Sequence, residues 1–265
     1  MSGSLERVRS VLFLPASNPR AIGHARQSAA DLVILDLEDA VKPEDKDCAR
    51  SAAGEALSGA WPMPVAIRLN GIGTEWHSLD VDAVARSKAD YAVLPRAASA
   101  HLVHGVAEAV GKPLMAMIET AAGVLAAPAI ASESAALIAG TNDLRAELRI
   151  PIGKDRGAIS ASLQLIVLAA RAAGIPAFDG VFNDLEDADA FAAECAEGRA
   201  FGFDGKSLIH PKQIDSCCRA FSPSEDELER ARRLVEAFGG GAERFEGQMI
   251  ERMHVEAAKR LLDRS

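Results

Sequence analysis

The stretch "DLVILDLEDAV" (residues 31–41) carries a branched apolar run that ends in three carboxylates, Asp36, Glu38 and Asp39. Alternation along a strand puts Asp36 and Glu38 on one face. A carboxylate in a core is costly unless it is paired or bound to a cation, so either the strand exits into solvent or a site needs the charge. Seven further β-rich runs share the pattern: "SVLFLPA" (10–16), "PVAIRLN" (64–70), "YAVLPRA" (91–97), "PLMAMIET" (113–120), "ALIAGTND" (136–143), "AFDGVF" (177–182) and "GKSLIH" (205–210). Ala-rich segments of helical period lie between them; "PEDKDCARSAAGEAL" opens on Pro43 and acidic residues, which suit a helix N-terminus. Near-continuous apolar strands alternating with helices predict a parallel sheet covered on both faces. Eight such units predict a (β/α)8 barrel. An open doubly wound sheet is the rival, weakened because no Gly-rich turn follows the first strand.

After His210 the rhythm changes. "PSEDELERARRLVEAF" (223–238) reads as an amphipathic helix, "GGG" (239–241) breaks it, and "QMIERMHVEAAKRLLDRS" reads as a last helix. The expected division is a barrel domain over 1–222 and a helical arm over 223–265, the arm being either a packing element or a reach toward a neighbouring subunit.

At 265 residues the chain has the size of one barrel. Its formal charge of −9 argues against nucleic-acid and anionic-membrane partners, while permitting a local basic site for a phosphorylated ligand. The apolar run near the N-terminus is too short for a signal peptide, and Arg171 interrupts the best candidate span, "LQLIVLAARAAGIPAF". Cys48, Cys195, Cys217 and Cys218 show no metal or scaffold spacing, so reduced thiols in a cytoplasmic protein are expected.

In a barrel the C-terminal strand ends converge on one face, where barrel enzymes place their active sites. Those ends supply Asp36, Glu38, Asp39, Arg68, Asn70, Arg96, Glu119, Asn142, Asp143, Asp179, Lys206 and His210. Glu119 and Asp143 follow adjacent apolar strands and would repel unless a proton or cation sat between them. A hard dication, Mg²⁺ first, fits such a pair, because it takes one or two carboxylates and keeps waters. Helix capping and salt bridges are the alternatives. Arg68 either neutralises Asp36 or Glu38, or holds a carbonyl oxygen that becomes an enolate. Lys206 reads as a Schiff-base lysine, a phosphate contact or half of an ion pair. His101 and His104 read as solvated side chains of a surface helix.

The motifs "LFLPASNPRAI", "DLEDAV", "IRLNG", "MIETAAGV", "GTNDL", "FDGVFNDLED" and "GFDGKSLIHPKQI" occur in that order. Through them the chain resembles the citrate lyase β-subunit-like proteins of the HpcH/HpaI aldolase superfamily, which includes malyl-CoA and citramalyl-CoA lyases. The resemblance implies a Mg²⁺-dependent barrel in a homotrimer or larger homo-oligomer. It implies cleavage of a 3-hydroxyacyl thioester to acetyl-CoA, or an acyl-carrier equivalent, and a 2-oxo acid. It further implies that Glu119 and Asp143 bind the metal, with Glu119 also at the substrate, and that Glu38 and Asp39 hold metal-bound waters. Arg68 is then the arginine at the substrate oxygens, and Ser17, Asn18, Arg20 and the Lys206 segment approach CoA. Three departures stand out: Ala16 replaces a glycine, Arg96 a lysine, and Glu251 with Met253 an aspartate and a proline. In several members of that family the aspartate reaches a neighbouring subunit's site and handles a proton on the acetyl methyl; Glu251 keeps the carboxylate one methylene further out. Two alternatives remain: a citrate lyase complex subunit that works on an acyl-carrier protein and is inactive alone, and a metal-dependent 2-oxo-acid aldolase.

Overall fold

Each of the eight apolar runs forms one strand. In the computed structural model, which describes residues 5–151, 153 and 155–263, the strands close in sequential order into one parallel barrel. β1 (Ser10–Pro15) leads to α1 (Pro19–Arg26), β2 (Leu32–Asp36) to α2 (Lys46–Ala56), β3 (Val65–Arg68) to α3 (His77–Arg86) and β4 (Tyr91–Leu94) to α4 (Ala100–Val110). Next come β5 (Leu114–Ile118), α5 (Ala121–Ala131), β6 (Ala136–Ala139), α6 (Thr141–Glu147) and α7 (Ser160–Ala173). β7 (Ala177–Asp179), α8 (Ala188–Phe201), β8 (Gly205–Leu208) and α9 (Ile214–Phe221) complete the ring. Closure is made by β1 against β8, with Val11 opposite Ser207.

Side chains alternate between two cores, as the pleat requires. Val11, Ile34, Ala66, Val93, Met115, Ile138 and Phe178 fill the barrel interior. Their neighbours Leu12, Val33, Ile67, Ala92, Ala116, Leu137 and Ala177 pack under the helices. This parity decides where each strand's polar end points. Asp36 follows Ile34 by two and Arg68 follows Ala66 by two, so both cap the interior. Asp179 and Lys206, paired in register, are of the other parity and face the helical layer.

The tail has a small core of its own, Ala231, Leu234, Ile250, Val255 and Ala258. Ser224 and Glu227 form a capping box that starts α10 (Glu225–Ala237). The expected last helix is corrected at its start. Glu243–Phe245 (β9) and Gln248–Ile250 (β10) pair as an antiparallel hairpin, and α11 runs only over Arg252–Asp263. Glu246 and Gly247 both take positive φ, 48° and 82°, the conformation that a two-residue hairpin turn demands. The last two residues of the expected helix, and residues 1–4 of the expected barrel domain, lie outside the described residues. α11 docks at the N-terminal rim of the barrel, where Arg7 Nη2 donates to Asp263 O at 3.1 Å. No helix among the described residues is long and apolar enough to cross a membrane.

Candidate active site

The C-terminal mouth holds a cavity of about 370 Å³ lined by Asp36, Asp39, Arg68, Glu119 and Asp143 together with apolar Phe13 and Met117. Arg68 is fixed at its floor. Its Nε donates to Asp36 Oδ1 at 2.7 Å and its Nη2 to Asp36 Oδ2 at 2.5 Å. Asp36 also accepts the backbone N–H groups of Glu38 and Ala40, at 2.8 and 3.1 Å, which folds the β2 loop over the guanidinium. Nη1 stays closer to the cavity, 2.9 Å from Glu38 Oε2 and 3.8 Å from Met117 Sδ. Burial works against the charge of Arg68, but the attraction of Asp36 and Glu38 outweighs it and raises the guanidinium pKa. Arg68 is therefore a fixed cation in the lining of the mouth, with Asp36 on its Nε–Nη2 edge and Glu38 at Nη1.

Glu119 directly follows β5 and is almost wholly buried, at 3 % exposure. Its Oε1 accepts the backbone N–H of Arg96 at 2.6 Å. Arg96 presents that N–H from the left-handed region, at φ 50°. Gly140 opens the other side. A Cβ there would come within 2.3 Å of both Glu119 Cβ and Oε2, so only glycine leaves room for the carboxylate. Burial pushes the Glu119 pKa up to about 7; the Arg96 N–H opposes this, and Asp143 adds to it. Asp143 sits in the first turn of α6, whose N-cap is Gly140, so it is not the helix cap. Its carboxylate meets Arg96 Nη1 at 3.4 Å.

Glu38 is likewise raised, to about 8, by burial first, with Arg68 opposing and Asp39, Glu119 and Asp36 adding. Among the described residues no set of three or more His, Cys, Asp and Glu side chains forms a metal cage. A two-carboxylate site does not need one. Glu119 and Asp143 offer acceptor-only oxygens in a negative, partly dry mouth, a donor set that suits a hard dication keeping several waters.

Lys206 is not part of this constellation. It is fully buried in the helical layer, with Nζ 2.9 Å from Asp179 Oδ2 and 2.6 Å from Glu194 Oε1 on α8. Arg156 completes that network with a forked pair of bonds to Asp179, at 3.0 and 2.6 Å. The ion-pair reading of Lys206 accounts for these contacts. A Schiff base or a direct contact to CoA would need an ammonium that reaches the mouth. On β8 it is Ser207 that lines the cavity. Asp179 shares this displacement, and His210 caps the turn after β8 by accepting the Lys212 N–H at 3.1 Å.

Of the expected CoA-side residues, Asn18 caps α1 by accepting the Ala21 N–H at 3.1 Å, Ser17 is half-buried beside it, and Arg20 is exposed. Glu251 lies between β10 and α11, outside the lining of its own chain's mouth cavity. His101 and His104 are exposed on α4, and His104 meets Glu133 at 2.9 Å. Sequence reasoning missed Lys46. Its Nζ donates to Leu37 O, Glu38 O and Asn70 Oδ1, each at 2.7 Å, and so clamps the loop that carries Glu38 and Asp39. Asn70 is held in turn by Asp80, at 2.6 Å.

A closed barrel whose mouth collects a fixed arginine and paired carboxylates defines an enzyme of the barrel aldolase type. The chain belongs to the HpcH/HpaI aldolase/citrate lyase family, whose profile matches residues 9–211. It is 43% identical to a (3S)-malyl-CoA thioesterase of Cereibacter sphaeroides, over 96% of this chain and 93% of that one. It is 32% identical to a citrate lyase subunit beta of Leuconostoc mesenteroides, over 96% and 92%. A solved structure of protein CitE from Mycobacterium tuberculosis, in complex with magnesium, acetoacetate and coenzyme A, superposes with a TM-score of 0.88 at 32% identity, over 100% of this chain and 99% of that one.

Proposed function

We propose that the protein is a Mg²⁺-dependent carbon–carbon lyase that cleaves a 3-hydroxyacyl-CoA thioester of the malyl, citramalyl or citryl type. The observation that carries this reading is the convergence of Arg68 with Glu119 and Asp143 on one cavity. Glu119 and Asp143 would hold the cation, with Glu38 and Asp39 turned to its waters. When bound there, Mg²⁺ supplies Lewis acidity that lowers the pKa of a chelated hydroxyl. Arg68 meets the thioester carbonyl. When a base takes the hydroxyl proton and the C–C bond breaks, the electron pair of that bond passes to the thioester as an enolate, and Arg68 stabilises the negative oxygen. Protonation of the enolate carbon gives acetyl-CoA; the 2-oxo acid is the other product. Glu251 of a neighbouring subunit is the candidate donor of that proton, in a homotrimer or larger assembly in the cytoplasm. Ser17, Asn18 and Arg20 flank the CoA side.

A second reading is hydrolysis of the same thioester, in which water attacks the carbonyl held by Arg68 and free CoA leaves. The relatives named as thioesterases favour it. Those named as citrate lyase subunits favour an acyl-carrier thioester as substrate. One assay separates the readings. Purified protein with Mg²⁺ is given malyl-, citramalyl- and citryl-CoA, and 2-oxo acid and free thiol are followed together. Oxo acid without thiol is the expected result; thiol without oxo acid would replace lysis by hydrolysis.

A further inference from the structure

A second cavity, of about 410 Å³, adjoins the mouth on the side of β6 and β7. Thr141, Asn142, Val181 and Asn183 line both spaces, so the two share a wall. Asn142 and Asn183 exchange amide hydrogen bonds at 2.8 and 3.3 Å and stand at the boundary between them. Beyond this pair the walls are largely apolar: Ala146, Ile150, Ile159, Val181 and Phe182.

The charged residues on the walls are already engaged. Arg145 donates to the carbonyls of Asp155 and Pro151, at 2.7 and 3.2 Å. Arg156 is neutralised by Asp179, with Glu194 and Glu197 at 3.8 and 3.3 Å; only its Nε lacks a hydrogen-bond partner. Asp184 and Glu194 also line the space. Among the described residues, a second carboxylate or a phosphate would meet Asp184 and Glu194 there, and both arginines already have partners.

We propose that this cavity is a specificity pocket for an apolar substituent on the 2-oxo-acid half of the substrate. The assignment rests on the lyase reading for its direction. With the thioester oxygen at Arg68 on β3, and CoA toward the loop after β1, the acid held at Glu119 and Asp143 projects its substituent toward β6 and β7. The pocket therefore favours oxo acids with an alkyl chain over glyoxylate and over acids with a second carboxylate.

The test reads binding directly. Mg²⁺-loaded protein is titrated calorimetrically with glyoxylate, pyruvate, 2-oxobutanoate, 2-oxopentanoate and oxaloacetate. Affinity should rise roughly fourfold for each added methylene, as expected for apolar burial, and oxaloacetate should bind no tighter than pyruvate. Ala146→Trp places a bulky ring in the cavity from an exposed position of α6, where folding is not at stake. It should abolish the chain-length gain and leave glyoxylate binding unchanged. A flat series, a gain for oxaloacetate alone, or a gain that survives in Ala146→Trp would each overturn the pocket. Lysis of malyl- and citramalyl-CoA is followed in parallel. Turnover of either with a flat series defeats the pocket and keeps the lyase; a chain-length gain with turnover of neither does the reverse.

Discussion

Gly140 lies so close to Glu119 that any Cβ at that position would collide with the carboxylate, at 2.3 Å from both its Cβ and Oε2. The opposite side of the same carboxylate is held by the Arg96 N–H. Glu119 is thus seated between one residue that must be glycine and another held at positive φ. Gly140→Ala should displace the carboxylate and weaken Mn²⁺ binding by about 10- to 100-fold, the range for lost support of a ligand. Electron paramagnetic resonance titration reads this directly. Unchanged Mn²⁺ affinity would separate Glu119 from the metal.

Glu119→Ala should abolish metal-dependent activity and leave the far-ultraviolet circular dichroism unchanged. The side chain is an acceptor at a cavity wall, and its removal relieves repulsion with Asp143. Full activity in this variant would assign the carboxylate a structural role only.

Arg68→Lys should cost on the order of 3 kcal/mol in kcat/KM, comparable to the loss of an oxyanion donor, since an ammonium cannot span Asp36 and still face the substrate. Arg68→Ala adds a second effect. It strands Asp36 without its buried partner, so its melting temperature should fall as well. A stable alanine variant with wild-type turnover would make Arg68 a charge balancer.

The pH dependence has a definite sign. Glu119 and Glu38 are raised to about 7 and about 8 by burial first, so the folded metal-free protein binds more protons than the unfolded chain above about pH 4.5. Their contribution to stability is present in full below that pH and is lost as pH rises through 8. The metal-free melting temperature should therefore fall between pH 5 and 8.5, apart from other groups, and Glu38→Gln should flatten the slope. Mg²⁺ affinity should rise over the same interval, because the carboxylates must ionise to bind it.

Glu251→Gln should slow proton exchange at the methyl of acetyl-CoA while leaving metal affinity intact. Proton transfer needs a heavy-atom approach of roughly 2.6–3.2 Å or one bridging water. Exchange at the wild-type rate would remove Glu251 from the proton transfer.

The barrel was legible because every strand is a short apolar run and every run falls where a strand lies. The site was legible in part. Two-residue parity places Asp36 above Ile34, Arg68 above Ala66 and Glu119 above Met117, inside the mouth. The same parity turns Asp179 and Lys206 outward, and His210 caps the turn after β8, so not all polar strand ends converge on the mouth. Lys46 gave no signal. It begins a surface helix and binds backbone carbonyls, which no residue type announces. The hairpin of the tail was obscured because the glycine run at 239–241 was the more visible break, although Glu246–Gly247 is the turn.

The network of Asp179, Lys206, Arg156 and Glu194 has an evolutionary consequence. Asp179 accepts from two buried cations at once, so replacing it alone would leave the two cations with Glu194 as the one carboxylate among the described residues that faces both. Loss of either cation would in turn unbalance the carboxylates. These positions cannot drift one at a time; across descendants of this sequence they should be inherited as a block or exchanged as a block for uncharged residues. The wall between β7 and β8 is then a heritable unit, and Arg156, which belongs both to it and to the second cavity, ties changes in what the enzyme accepts to changes in how the barrel is held.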